Sequence, residues 1–272
     1  MSEAPWVAQT QFGDSDKVRV ASLAEVSQMI QHELHDHEHG PSHEHEHEHR
    51  GHDWHSDAYS REWMERWARR PSREEQFTAA IRLLPFAPDD HFVLMDVGAG
   101  YGAFAAFVLE RFPKAEAILV DYAQPMLDLA REQQQAFAGR MLFERVDLSE
   151  PHCLQSFRDA GVNVAVSAIA IHNLREPRTI QRVYGEVAGV LSAPGYFINL
   201  DYVLASSPEA DLYYRQMEAR ADPSKADRVG RRPNFPGTAS EQLAWLSAAG
   251  FNWTDIPWKQ GSLALLLAVK GS

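Results

Sequence analysis

The chain has little cysteine, little positive charge and no long apolar run. Its one cysteine, Cys153, rules out a disulfide within the chain, which suits a reducing compartment. Lysine and arginine number 26 against 38 aspartates and glutamates, a net charge of -12. That balance argues against a broad nucleic-acid-binding surface. No apolar run reaches the length of a membrane span, and the N-terminal MSEAPWVAQTQFGDSD lacks the basic-then-apolar pattern of a signal peptide. A soluble, cytoplasmic protein with no nucleic-acid or membrane partner is expected. Internal repeats are absent as well. The chain does offer 272 residues with 44% hydrophobic content, enough for one large domain with appendages.

Histidine is abundant and unevenly placed. Ten of the 13 histidines lie between His32 and His55, among eight acidic residues and one arginine counted as far as Asp57. This composition cannot build a core, so residues 1–56 are expected to form a weakly structured lead-in and a disordered His/Glu-rich tail. Neutral imidazoles beside carboxylates suit zinc, nickel, copper or cobalt. His43, His45, His47 and His49 alternate with glutamates and share one side of an extended chain, so they are the candidate ligands for a divalent transition metal. Adventitious binding and a tag-like sequence are the plainer readings of the same run.

From Asp57 the pattern is globular. Tyr59, Trp63 and Trp67, spaced four apart, share a helix face, and Pro71 divides residues 57–84 into two helices. The stretch on which the rest depends follows: Phe92-Val93-Leu94-Met95 reads as a buried strand, Asp96 ends it, and Gly98, Gly100 and Gly102 lead into a helical pattern through Phe104, Phe107 and Val108. Strand, glycine loop and helix let backbone approach a nucleotide-like ligand closely. GAGYGA also fits part of the dinucleotide fingerprint, so the loop alone leaves a nicotinamide dehydrogenase open.

The downstream pattern adds four more α/β units. Strands are expected at Ala117–Val120, from Met141 to Leu148, at Val162–Ile169 and at Tyr196–Asp201. Helices are expected from Gln124, at Arg178–Leu191, from Pro208 and at Thr238–Ala249, and a hairpin of Trp253–Trp258 and Leu263–Val269 closes the chain. Ligands bind such sheets at the carboxyl ends of the strands. Asp121 sits about twenty residues past the glycines, where a carboxylate can accept ribose hydroxyls. Asp147 can accept from an adenine amino group, Met126 and Leu148 can hold an apolar ring, and Ser167 ends the fourth strand beside the loop. Asp96 and Asp147 have a simpler alternative, that of capping a helix or a turn.

The ordered set DVGAGYG, LVDYAQPML, RVDL, VSAIAIHNL and LSAPGYFINLD resembles the class I S-adenosylmethionine-dependent methyltransferases over residues 57–272. The resemblance implies an α/β, Rossmann-like seven-stranded sheet of order 3-2-1-4-5-7-6, its last strand antiparallel, with helices on both faces. It implies S-adenosylmethionine as cofactor, held by Asp96, Gly98, Ala99, Gly100, Asp121, Tyr122, Met126, Asp147, Leu148 and Ser167, and a small-molecule methyl acceptor. His172, after the fourth strand, is the candidate base, with packing or helix capping as its alternative; Asp201 and Asn173 are secondary candidates. Tyr59, Trp63 and Trp67 are expected to wall the substrate, one of Arg66, Arg69 and Arg70 to meet the cofactor carboxylate, and residues 203–237 to form a substrate lid. Two other readings stay open: an enzyme making carboxy-S-adenosylmethionine, and a metal-handling or metal-sensing protein on a methyltransferase-like scaffold. The oligomeric state is not legible.

Overall fold

Short apolar runs bounded by glycine, aspartate and proline become the strands of one sheet. A computed structural model describes residues 23, 25–28, 54–68, 72–229 and 235–271. From residue 54 onward two helices come first, α1 (Asp57–Ala68) and α2 (Ser72–Ile81). Strands and helices then alternate: β1 (Val93–Val97), α3 (Ala103–Arg111), β2 (Glu116–Asp121), α4 (Gln124–Gln133), β3 (Met141–Arg145), β4 (Val162–Ala168), α5 (Pro177–Val190) and β5 (Leu191–Tyr202). After α6 (Pro208–Ala221) and α7 (Ala239–Ala248), β6 (Trp253–Gln260) and β7 (Leu263–Lys270) form the closing hairpin.

The seven strands lie in the order β3-β2-β1-β4-β5-β7-β6, as the resemblance implies. β7 runs antiparallel to both β5 and β6, and the other neighbours are parallel. Every residue of β1 is buried, because helices cover both faces of the sheet. Val93, Met95 and Val97 face a cluster with Ile180, Val183 and Val187 of α5 and Leu246 of α7. Phe92 and Leu94 face the opposite cluster, with Phe77 of α2 and Phe104 and Val108 of α3. Phe77 stacks on Phe104 with ring centres 4.3 Å apart. Burying a side chain of this size stabilises the fold by about 1.5–3 kcal/mol. That burial holds the N-terminal helix pair to the sheet.

Three boundaries differ from the sequence reading. β3 stops at Arg145, so Asp147 and Leu148 lie on a loop beyond the strand. β5 starts at Leu191 rather than Tyr196: Leu191 pairs with Val162, the strand bulges, and pairing resumes at Tyr196 opposite Val164. The lead-in also contributes to the core, since Val26 is buried in the cluster under α5 and α7. The first half of the expected lid holds α6, whose first turn is capped by Ser207 accepting from the Ala210 amide at 3.2 Å. Among the described residues, no helix is long and apolar enough to cross a membrane.

Candidate active site

The glycine loop is shaped by its backbone. Gly98, Gly100 and Gly102 have φ of 71°, 54° and 74°, the left-handed region that side chains disfavour. A Cβ on Gly98 would stand 2.4 Å from that of Ala170, so the glycine also lets the β4 exit loop close onto the β1 exit loop. At Gly100 a Cβ would meet nothing within 4 Å, so open space borders the loop there. Gly98 and Ala99 both donate their N–H to the Val120 carbonyl, at 2.9 and 3.0 Å.

Two buried aspartates hold this loop from below. Asp96 accepts from the Ala105 amide of α3 at 3.1 Å. It therefore caps the helix, the alternative that the sequence left open. Asp121 accepts from Gly100 N at 2.8 Å through Oδ2 and from Ala123 N at 2.9 Å through Oδ1. The Tyr122 amide bonds the same carboxylate, so of its roughly four lone-pair sites one remains for a ligand's hydroxyl. Burial raises the Asp121 pKa and these backbone bonds oppose the rise. Burial also raises Asp96, from 3.8 to about 7.

The sign of the Asp96 effect follows from linkage. An unfolded aspartate titrates at about 3.9. Between that value and about 7 the folded protein keeps a proton that the unfolded chain releases, so stability is full below the window and falls as pH rises through it. Asp96→Asn keeps an acceptor for Ala105 and loses the titration. Its melting temperature should stay flatter than the parent's between about pH 5 and pH 8. Parallel pH profiles for the two proteins would count against this origin of the slope.

The remaining expected cofactor residues fall into different settings. Asp147 is exposed, and its Oδ1 accepts from Ser149 N at 2.8 Å and Ser149 Oγ at 2.7 Å, so it closes its own turn. Arg182 of α5 fixes that turn by donating to the carbonyls of Leu148, Ser149 and Glu150. Met126 packs with Trp67 and Tyr101, whereas Leu148 packs against the cluster under α5. Tyr122 is half-buried, with the His55 ring edge-on at 5.6 Å. Ser167 is fully buried and donates to the Val97 carbonyl at 2.7 Å, tying β4 to β1. Its hydroxyl is engaged there, which corrects the expectation of a contact with cofactor.

His172 and Asp201 come together from adjacent strand ends. Ala168 of β4 pairs with Leu200 of β5, which leaves the next residue, Asp201, beside the chain leaving β4. Ile169 turns that chain out of the sheet with φ 55°, a strained conformation for a β-branched residue. His172 N then donates to Asp201 Oδ2 at 2.8 Å, and His172 Nδ1 lies 2.6 Å from Asp201 Oδ1. Asp201 is 3% exposed and also accepts from Tyr202 N at 2.8 Å. An ionised carboxylate only accepts, so the proton of neutral His172 sits on Nδ1 and Nε2 is left as a bare acceptor. Tyr202 lies edge-on to the imidazole at 5.3 Å and stacks on Phe235 at 5.0 Å, so the far end of the expected lid reaches the dyad.

A cavity of about 210 Å³ lies in front of this histidine. Trp63, Trp67, His172 and Asn173 line it. Trp54, Arg66, Ile169 and Tyr202 line it too. Tyr59 does not; it packs edge-on against Trp54 at 5.2 Å, a turn farther out. Trp54, assigned by sequence to the tail, is a packed residue of the site, and Ser60 Oγ donates to its carbonyl at 3.4 Å. Arg73 bonds the Tyr101 hydroxyl in the glycine loop, a partner absent from the arginines considered by sequence. Arg69 and Arg70 lie outside the described residues, as do His43, His45, His47 and His49. Among the described residues, no group of three or more His, Cys, Asp or Glu is placed to hold a metal ion.

Residues 94–195, from β1 to the middle of β5, match the family model described as a methyltransferase domain. That segment belongs to the methyltransferase-domain family. A malonyl-[acyl-carrier protein] O-methyltransferase of Geobacter sulfurreducens is 30% identical over 166 residues, 60% of this chain and 57% of that protein. An O-methyltransferase family protein from Burkholderia thailandensis has the same fold, with a TM-score of 0.61 at 18% identity over 80% of this chain and 62% of the other. Human N-acetylserotonin methyltransferase in complex with SAM shares it at a TM-score of 0.54 and 15% identity, over 80% and 58% of the two chains. The chain spans little more than half the length of the curated relatives it matches. The matched segment holds the glycine loop, Asp121 and His172, at the ends of β1, β2 and β4, and Asp201 follows it near the end of β5.

Proposed function

We propose that the chain is an S-adenosylmethionine-dependent methyltransferase acting on a small molecule whose attacking atom carries a proton. The observation that carries this reading is the His172–Asp201 pair, with Nδ1 held at 2.6 Å, in a cavity whose floor loop touches the glycine loop through Ala170. The residues fit the cofactor: Gly100 borders open space, and Asp121 keeps an acceptor site at the end of β2. Asp147 can accept from the base through Oδ2, which bonds none of the Ser149 donors. Bound there, S-adenosylmethionine would supply an electrophilic methyl group that passes to the acceptor while its sulfur leaves as a neutral thioether. His172 takes the acceptor's proton at Nε2, Asp201 stabilises the imidazolium that forms, and the indole walls exclude water.

Incubating the full chain with methyl-labelled S-adenosylmethionine and a panel of hydroxylated small molecules tests the reading. Label should pass to an acceptor in the parent protein and fail to pass in His172→Ala. Transfer at equal rates in both would leave the dyad without a role.

The histidine-rich tail is a separate property. On composition we infer that it binds divalent transition metal at several interchangeable sites and that catalysis does not need it. Metal titration of the full chain should show several sites, weakened when His43, His45, His47 and His49 become alanine and lost as pH falls below about 6.5. Substitution is cleaner than deletion, because removing the N-terminus would also take Val26 from the core. If a chelator abolished cofactor binding or methyl transfer, the tail would belong to the site.

A further inference from the structure

The cavity in front of His172 has a chemistry more specific than its family. Its aromatic wall is made by Trp54, Trp63 and Trp67, with Tyr202 on the dyad side. Trp63 and Trp67 lie nearly parallel, 18° apart with centres at 5.9 Å, while Trp54 meets Trp63 edge-on at 5.3 Å and 72°. Flat faces and edges of this kind favour a flat aromatic ring over an aliphatic chain of equal area. The volume, about 210 Å³, suits one ring with small substituents. A dry protein cavity of about 150 Å³ is enough for benzene.

The fixed charge of the lining is positive. Among the described residues, Arg66 lines the cavity and no aspartate or glutamate does. Asp201 stands behind the imidazole and Asp96 and Asp121 are buried beneath the loop. Arg66 pairs with Glu62 one turn earlier at 2.5 Å, but both side chains are mostly exposed. A surface pair of that kind is weak, and a carboxylate in the cavity can take the guanidinium as a planar, two-point partner. A cationic ligand would have the same aromatic faces but would meet this guanidinium at close range.

We propose that the methyl acceptor is a single-ring phenol bearing a carboxylate, its hydroxyl toward His172 Nε2 and its carboxylate toward Arg66. This rests on the methyltransferase reading for its chemistry, but the binding site stands on the cavity alone. In the reaction the phenol O–H gives its proton to Nε2, the oxygen forms the new bond to the methyl carbon, and the electron pair of the broken S–C bond stays on sulfur.

The indoles in the wall make binding readable without turnover. Tryptophan fluorescence of the full chain is titrated with meta- and para-hydroxybenzoate, phenol, tyramine and 4-hydroxycyclohexanecarboxylate. A hydroxybenzoate should bind at least tenfold more tightly than the other three, and Arg66→Gln should erase its advantage over phenol while leaving phenol affinity and melting temperature unchanged. Equal affinity for the saturated-ring acid would overturn the aromatic part. Equal or tighter binding of phenol or tyramine, or an unaltered preference in Arg66→Gln, would overturn the anionic part. Calorimetry with S-adenosylmethionine separates the two claims. Cofactor binding without hydroxybenzoate binding overturns only the acceptor assignment, whereas hydroxybenzoate binding without cofactor binding overturns the methyltransferase reading and leaves the site standing.

Discussion

Replacing His172 with alanine is expected to lower kcat by about 10²–10⁴-fold, the range that general base catalysis contributes, and to leave S-adenosylmethionine affinity unchanged. The split follows from geometry. His172 lines the acceptor cavity, whereas Gly100 and Asp121 lie at the ends of other strands. Asp201→Asn gives a second arm. With its oxygen toward His172 N, the asparagine turns its amide as a donor to Nδ1, which drives the ring proton to Nε2 and costs Tyr202 N its acceptor. The base is thereby blocked with little change in shape, so turnover should fall nearly as far. The deficit in both variants should shrink for more acidic acceptors, because an acceptor already ionised needs no base. A deficit independent of acceptor acidity would mean that His172 orients the acceptor and moves no proton.

The second large effect is at Asp121. Asp121→Asn removes the charge while keeping one acceptor for the loop amides, which Asp121→Ala would leave without partners. Hydrogen bonds to a charged group are worth about 1.5–3 kcal/mol each. Since about 1.4 kcal/mol is a factor of ten, losing one such bond to a cofactor hydroxyl should weaken S-adenosylmethionine roughly 10- to 100-fold in equilibrium dialysis. Hydroxybenzoate binding in the indole-walled cavity should not change. Unaltered cofactor affinity in a variant that melts like the parent would remove Asp121 from the ligand site and leave it as the anchor of Gly100 and Ala123.

The fold was legible in the sequence because its signals are local. Buried runs such as Val93–Val97 and Leu263–Lys270, and the glycines that end or begin elements, mark strands and turns directly. Strand order came from the motif order, through resemblance. The site was legible where a side chain's role follows from its place on one element, as with Asp121 or Trp63. It failed where a role depends on register between elements. Ser167 and Asp201 both end strands, yet one faces the Val97 carbonyl and the other the imidazole, and only the β4–β5 pairing decides which. His172 and Asp201 were candidates individually, but their contact spans 29 positions and no spacing rule gives it. Trp54 was lost for a compositional reason: it stands among histidines and acids, so the segment's polarity hid an indole that packs on Trp63. Tyr59 shows the reverse, a correct helix face read one turn too far. Arg73 gave no signal, since nothing in its neighbourhood points to the Tyr101 hydroxyl.

The most direct test of the central claim is calorimetric titration of S-adenosylmethionine into the full-length protein. The glycine loop and the open acceptor site of Asp121 predict saturable binding of one cofactor per chain, weakened in Asp121→Asn and retained in His172→Ala. The absence of saturable binding by a folded parent protein would contradict the account, because none of the chemistry assigned to His172 and Asp201 can proceed without a methyl donor in that cleft.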